Sequence, residues 1–338
     1  MAVFKTIFIA LFIGVLCLVA GGYYMAQELS APLKLNSPQL ITIEKGSSAH
    51  QVVAKLEQRD ALPVNTLVIK LGMKAGMLSS GVKAGTYWLE PGMNLEAALE
   101  RFSQADEAQF SVSLIEGLTL AQWQQSLQQH PNIKDDLTAD TLSQLKAKWQ
   151  KTFSVAPLSL EGLFLADTYH FTHHTRASVI LRRAMQAMSD YLTSQWQQRA
   201  VNLPYDSPYE ALILASIIEK ETAVPAERGE IAGVFVNRLR SDMRLQTDPT
   251  VIYGIGESFD GNITRAHLRQ KNAYNTYVIK GLPPTPIAMA GRAAVTAALQ
   301  PAGTDALYFV AKGDGSHQFS QTLQQHNAAV RKYQLQNR

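Results

Sequence analysis

Two glutamates, Glu219 and Glu221, close a run that is otherwise almost wholly apolar, S-P-Y-E-A-L-I-L-A-S-I-I-E-K-E-T at 207–222. Ser207 and Glu210 form an S-x-x-E capping box, and Pro208 takes the first helical position, where its missing N–H costs nothing. Ser216 is the single polar residue between Ala211 and Ile218. A helix apolar on every side is a buried helix. A carboxyl group where it ends therefore sits close to the core, in surroundings that disfavour its ionised form and raise its pKa. That suits a general acid at neutral pH. Glu221 is the competing candidate. Two residues along a helix turn a side chain by about 200°, so the two carboxylates cannot enter one pocket from a regular helix. The bland reading of Glu221 is a surface or supporting carboxylate. The bland reading of Glu219 is a buried structural acid paired with Arg228, Arg238 or Lys220.

Two polar clusters follow. Gln246, Asp248 and Tyr253 occupy a stretch read as a polar loop running into a strand or turn. Asn275, Thr276 and Tyr277 precede Gly281-Leu282-Pro283-Pro284. Asn and Asp are common turn residues, so turn chemistry is the alternative for both clusters. Asp248 is the only member able to act as a second acid. Glu161, in Leu160-Glu161-Gly162, reads either as a groove residue or as a salt-bridge partner, and Asp167-Thr168-Tyr169 can help shape a groove. His170, His173 and His174 lie within five residues in a segment read as loop, but no nearby carboxylate completes a recognisable metal spacing. No metal and no cofactor are expected. His317 reads as structural or groove-lining, and Trp88 and Trp123 as core residues.

The elements that must position these groups are partly legible. A strand, a glycine, a cap residue and a helix recur three times: Leu40–Glu44 with Gly46, Ser48 and Ala49–Gln58; Thr86–Leu89 with Gly92, Asn94 and Leu95–Phe102; Phe110–Ile115 with Gly117, Thr119 and Leu120–Gln129. Ser48 with Gln51 and Thr119 with Gln122 fit capping boxes. The uneven spacing rules out a solenoid. The first two copies, with a helix at Thr66–Ala75, form one small α+β module at 40–105, and the third opens a larger α+β domain at 106–338. Asp135–Lys151 reads as a solvated helix, Ala226–Arg240 as a second helix with Glu227 and Glu230 in its first turn, and Leu307–Val310 with His317–Ser320 as a hairpin.

The 338 residues carry 31 Lys and Arg against 28 Asp and Glu, a net charge of +3, so no nucleic-acid footprint shows. Cys17 is the single cysteine, which excludes an internal disulfide and a cysteine nucleophile beyond the N-terminal run. Residues 6–26 carry no charge and are long enough to cross a bilayer. Lys5 and the amino terminus before this run favour a cytoplasmic N-terminus at 1–5; a cleaved signal peptide is the alternative. Residues 27–39, with Ser30, Pro32, Ser37 and Pro38, read as a linker.

Several of these segments carry a resemblance. L-E-G-L-F-L-A-D-T-Y at Leu160–Tyr169, A-S-I-I-E-K-E-T at Ala215–Thr222, N-R-L at Asn237–Leu239, L-Q-T-D-P-T-V-I-Y-G at Leu245–Gly254, Y-N-T-Y at Tyr274–Tyr277, G-L-P-P at Gly281–Pro284 and L-Y-F-V at Leu307–Val310 stand in the order found in the YceG-like family of endolytic murein transglycosylases. The chain departs from it at Ala166, where the family has proline, and at Ala290-Gly291, where it has proline-glycine; both lie outside the glutamate motif. The resemblance implies a membrane anchor, a small LysM-like α+β module and a larger α+β catalytic domain. It implies a lyase that cuts the MurNAc-GlcNAc β-1,4 bond of peptidoglycan and leaves 1,6-anhydroMurNAc ends, with Glu219 catalytic. It further implies an inner-membrane protein with its catalytic domain in the periplasm, acting on nascent strands beside the peptidoglycan synthases and terminating glycan elongation. Gln246, Asp248, Tyr253, Asn275, Thr276 and Tyr277 then become candidate substrate-binding residues, since a sugar site needs hydrogen bonds and an aromatic face. A hydrolase using water, with Asp248 positioning it, and a non-catalytic peptidoglycan-binding scaffold are the competing readings.

Overall fold

The computed structural model describes residues 2–79 and 81–335. Met1, at the start of the 1–5 stretch, and the last three residues of the 106–338 domain lie outside the described residues. The chain divides into two compact units, one of residues 1–110 with 171–173, the other of residues 111–170 with 174–338. Both mix helices and strands.

The first unit begins with helix α1 (Ala2–Leu29), 28 residues long. At 1.5 Å per residue it spans roughly 42 Å, more than the hydrocarbon core of a bilayer. Phe8, Phe12, Leu18 and Tyr23 are among its exposed apolar side chains. The helix does not stop where the apolar run does. Leu29 at its end, and Leu33 and Leu35 beyond it, are buried in the core of the module that follows, so the stretch read as linker supplies core residues.

That module runs β1 (Gln39–Ile43), α2 (Ala49–Gln58), α3 (Thr66–Lys74), β2 (Gly85–Leu89), α4 (Leu95–Gln104). β1 and β2 pair antiparallel, with Ile41 opposite Tyr87. Alternation puts Ile41, Ile43, Tyr87 and Leu89 into the core. Ser48 caps α2 in a capping box with Gln51, and Asn94 caps α4, as their positions before apolar runs predict.

The second unit is mainly helical. β3 (Gln109–Leu114) leads through Gly117 into α5 (Leu120–Gln129), capped by Thr119 with Gln122. β4 (Ile133–Lys134) and α6 (Ala139–Phe153) follow; α6 is not wholly solvated, because Leu145 and Trp149 are buried. β5 (Asp167–Thr172) joins β3 in a two-stranded sheet, and β6 (Thr175–Arg176) runs parallel to β4. His170 thus lies in a strand, a correction to the loop reading, while His173 and His174 sit in the turn between β5 and β6. Alternation explains it: Tyr169 and Phe171 are buried while Asp167, Thr168 and His170 are exposed.

α7 (Ala177–Gln197) follows. Its buried stripe of Ile180, Leu181, Ala184, Met185, Met188 and Leu192 has helical spacing. α8 (Pro208–Glu221) has its capping box and buries every residue from Ala211 to Ile218. A 3₁₀ turn (Pro225–Glu227) enters α9 (Arg228–Arg240). α10 (Asp248–Ile255) is a helix where the sequence suggested a loop passing into a strand or turn. Thr247 is extended, Pro249 sits in the first turn, and Thr250 and Val251 are buried, so the T-D-P-T string is a helix entry. α11 (Arg265–Arg269) and α12 (Arg292–Leu299) precede the antiparallel hairpin of β7 (Tyr308–Ala311) and β8 (His317–Ser320), and α13 (Leu323–Val330) runs on into a π-helical turn (Arg331–Leu335).

α8 is the central element, packed against α7, α9, α10 and α12. Its lone interior hydroxyl has two partners: Ser216 Oγ donates to the Ile213 carbonyl (2.7 Å) and accepts from the Ile287 N–H (3.0 Å). Ile287 to Ala290 form a buried strap beside α8. Replacing Ser216 with alanine leaves the buried Ile287 N–H without a partner, which costs about 1–3 kcal/mol. Urea unfolding of Ser216→Ala is expected to show a lower midpoint by that amount at an unchanged slope; an unchanged midpoint removes this bond from the account.

Candidate active site

Glu219 lies one turn beyond Ser216, at the end of α8, with its side chain 7% exposed. Three groups surround its carboxylate. The Gly291 N–H donates to Oε2 at 2.9 Å. Gly291 is the N-cap of α12, so the carboxylate also faces the positive end of that helix. The Arg228 guanidinium, at the start of α9, is 3.5 Å from Oε1. Arg228 is one of the three cations expected as partners; its Nε–H is buried with no partner among the described residues. The third group is Glu116, and glycine is what lets it in. A Cβ on Gly291 would stand 2.7 Å from Glu116 Cγ and 3.4 Å from Glu219 Oε2.

These residues line a cleft of about 460 Å³ together with Ser113, Asp167, Thr168 and Arg292. Arg292 and Asp167 pair at 3.3 Å, and the Ser113 and Thr168 hydroxyls meet at 3.1 Å. The strap leads into Gly291 and ties down the segment that carries Glu116. Gly117 N–H donates to the Met289 carbonyl and Met289 N–H to the Leu118 carbonyl, both at 2.8 Å. Lys220 Nζ donates to the Gly117 carbonyl (3.1 Å), and Trp123 Nε1 to the Ile115 carbonyl (2.9 Å). Trp123 is fully buried, a core residue that also fixes the segment carrying Glu116.

Glu221 points elsewhere, as helical direction requires. It is half-buried, accepts a hydrogen bond from the Thr247 hydroxyl, and its pKa is raised by desolvation. It lines a separate pocket of about 470 Å³ with Arg238, Gln246, Asp248, Tyr277 and His317. Tyr277 donates its hydroxyl to Asp248 at 2.6 Å. Of the polar residues singled out in the sequence, Gln246, Asp248 and Tyr277 thus come together around Glu221 rather than Glu219. Asn275 is 1% exposed and spends its amide on the His267 and Gln270 carbonyls. Thr276 is fully buried and accepts from the Thr247 N–H. Tyr253 donates to Glu161 at 3.3 Å. His317 sits against Glu227 at 2.7 Å. No group of His, Cys, Asp and Glu among the described residues is arranged to hold a metal ion.

Glu161 is 5% exposed and makes no ion pair among the described residues. It accepts from the Leu120 N–H (2.9 Å), the first of α5, and from Tyr253, so it ties α5 to α10. Burial pushes its pKa up to about 7 against the opposing pull of these two donors. Glu116, Gly291 and Arg292 were not singled out as site residues; Glu116 merely precedes the glycine of the third strand–glycine–cap pattern.

Residues 41–332 match the model of the YceG-like family, and the chain belongs to that family. It is 31% identical over 334 residues to an endolytic murein transglycosylase of Bacillus subtilis, an alignment covering 94% of this chain and 91% of that one. An endolytic murein transglycosylase of Streptococcus pneumoniae is 29% identical, over 91% of this chain and 61% of its own. A crystal structure of a yceG-like protein from Listeria monocytogenes covers 86% of this chain and 99% of its own with a TM-score of 0.53 at 30% identity.

Two outcomes follow from this geometry. The unfolded chain releases the Glu161 proton near 4.5, while the folded protein holds it to about 7. Glu161 therefore leaves stability untouched below the lower value and takes away up to about 3 kcal/mol as pH rises to the higher one. Between pH 5 and 8 the wild type is expected to lose thermal stability that Glu161→Gln keeps; parallel pH profiles contradict this. Gly291→Ala forces Glu116 aside while its backbone angles stay ordinary, so activity on peptidoglycan should fall at least tenfold with a melting temperature within a few degrees of wild type. Unchanged activity rules out the close approach at Gly291.

Proposed function

We propose that this protein is an endolytic peptidoglycan lytic transglycosylase, a lyase that cleaves the MurNAc-GlcNAc β-1,4 bond within a glycan strand and leaves a 1,6-anhydroMurNAc end, with Glu219 as its catalytic residue. The observation that carries this is a nearly buried carboxylate fixed by the Gly291 N–H beside Arg228 in an open cleft, in a chain of the YceG-like family whose relatives bear that activity in their names.

The chemistry follows from one carboxyl group used twice. Glu219 in its acid form gives its proton to the glycosidic oxygen as the bond from the anomeric carbon breaks. As a carboxylate it then takes the proton of the muramyl C6 hydroxyl, whose oxygen closes on that carbon. The nucleophile belongs to the substrate, so no second carboxylate is needed to activate water, in contrast to glycosidases. Gly291 and Arg228 hold the carboxylate oxygens in place throughout. The Asp248 carboxylate, engaged by Tyr277 in the other pocket, is not a residue of the Glu219 cleft, which weighs against a hydrolase built on it.

In this reading Gln246, Asp248 and Tyr277 open onto a glycan-binding subsite, and Tyr253, Asn275 and Thr276 serve it indirectly by bracing the loops around it. The β-α-α-β order of residues 39–89 supports a LysM-like glycan-binding role for the module. The apolar α1 supports a single-pass anchor in the inner membrane, with the catalytic unit in the periplasm beside newly made strands. There it works next to the peptidoglycan synthases and terminates glycan elongation.

Product analysis tests the assignment. Purified protein should release fragments ending in 1,6-anhydroMurNAc, and Glu219→Gln should release them about 10²–10⁴-fold more slowly. Reducing ends alone contradict the transglycosylase reading, and a Glu219→Gln variant as fast as wild type removes Glu219 from the reaction.

A further inference from the structure

We infer that Glu116 is a second catalytic carboxylate: it faces the sugar beside Glu219 and stabilises the positive charge that develops at the anomeric carbon. This rests on the glycosidic cleavage proposed above and adds to it a group that a single-carboxylate mechanism does not use.

Four observations carry it. Glu116 and Glu219 meet at one place, their Oε1 and Oε2 atoms 3.2 and 3.4 Å from the point a Cβ on Gly291 would occupy. They reach it from different elements, Glu116 from the segment after β3 and Glu219 from the end of α8, and both line the same cleft. Glu116 makes no hydrogen bond and no ion pair among the described residues, although Arg228 and Arg292 line the same cleft; Arg228 goes to Glu219 and Arg292 to Asp167. Its backbone is nonetheless pinned from three sides, by Trp123 on the Ile115 carbonyl, by Lys220 on the Gly117 carbonyl and by the Met289 strap. Glu116 is exposed on a cleft it shares with Glu219, so its carboxylate stays free to face a sugar bound there.

Breaking the glycosidic bond leaves an oxocarbenium-like carbon. A pre-placed negative group there is worth more in the transition state than in the ground state, because the charge exists only then. Glu116 takes no proton and forms no bond in this role. Glu219 gives its proton to the departing oxygen and receives that of the C6 hydroxyl, so the step balances without it. Removing such a group lowers kcat and leaves KM nearly unchanged.

The test has two arms. In the first, wild type, Glu116→Gln and Glu116→Asp digest peptidoglycan. Glu116→Gln is expected to release anhydro ends about 10–10³-fold more slowly with KM within threefold, and Glu116→Asp to recover part of the loss. In the second, a Glu219→Gln background is titrated with a protonated iminosugar and with a neutral chitooligosaccharide. Adding Glu116→Gln should weaken the cation at least tenfold and the neutral sugar less than threefold. A kcat within twofold of wild type, or equal weakening of both sugars, overturns the proposal. If wild type makes no anhydro ends but the cation still depends on Glu116, the proposed reaction fails and the charge-stabilising role of Glu116 stands.

Discussion

One hydrogen bond organises the larger unit, that from the Gly291 N–H to Glu219. A carboxylate at the end of an apolar helix would otherwise have to point away from the core or disrupt it. Here the strap brings a donor and the start of α12 to it. The strap can do so because Ser216, one turn earlier on α8, has already fixed it through Ile287. Met289 then binds the strap to Gly117 and Leu118, which sets Glu116 across from Glu219. Packing, one interior hydroxyl and one side-chain-free position thus decide where the acid stands and what can approach it.

The same economy separates two polar sites on one short helix. Glu219 and Glu221 leave α8 on opposite sides, and each finds its own surroundings: Gly291, Arg228 and Glu116 for the first, Thr247, Arg238 and the Asp248–Tyr277 pair for the second. The half-buried Glu221 anchors the entry of α10 through Thr247, so the second pocket is tied to the same helix end as the first.

Much of this was readable from residues alone. The cap of α8, its all-round burial and the divergence of its two acids follow from Ser207, Glu210 and the apolar run. The strand–glycine–cap pattern located α2, α4 and α5 because Ser48, Asn94 and Thr119 act locally. What stayed hidden depends on distant contacts. Asn275 and Thr276 look like sugar-binding groups until the carbonyls and amides they satisfy are seen. Asp248 looked like a loop residue because Pro249 permits both a turn and a helix start. Glu116 carries no signal in its spacing, since its place is set in part by Met289, far away in the chain, together with the nearby Trp123. α7 and the alanine-rich α12 were not read as helices, since neither has a side-chain cap to mark its start.

The central claim is that the substrate's own hydroxyl, not water, completes the cut made at Glu219. Digestion in water enriched with oxygen-18 tests it most directly. The account predicts new glycan ends of unchanged mass, because the C6 oxygen was already in the sugar. One heavy oxygen at every new muramyl end would contradict it.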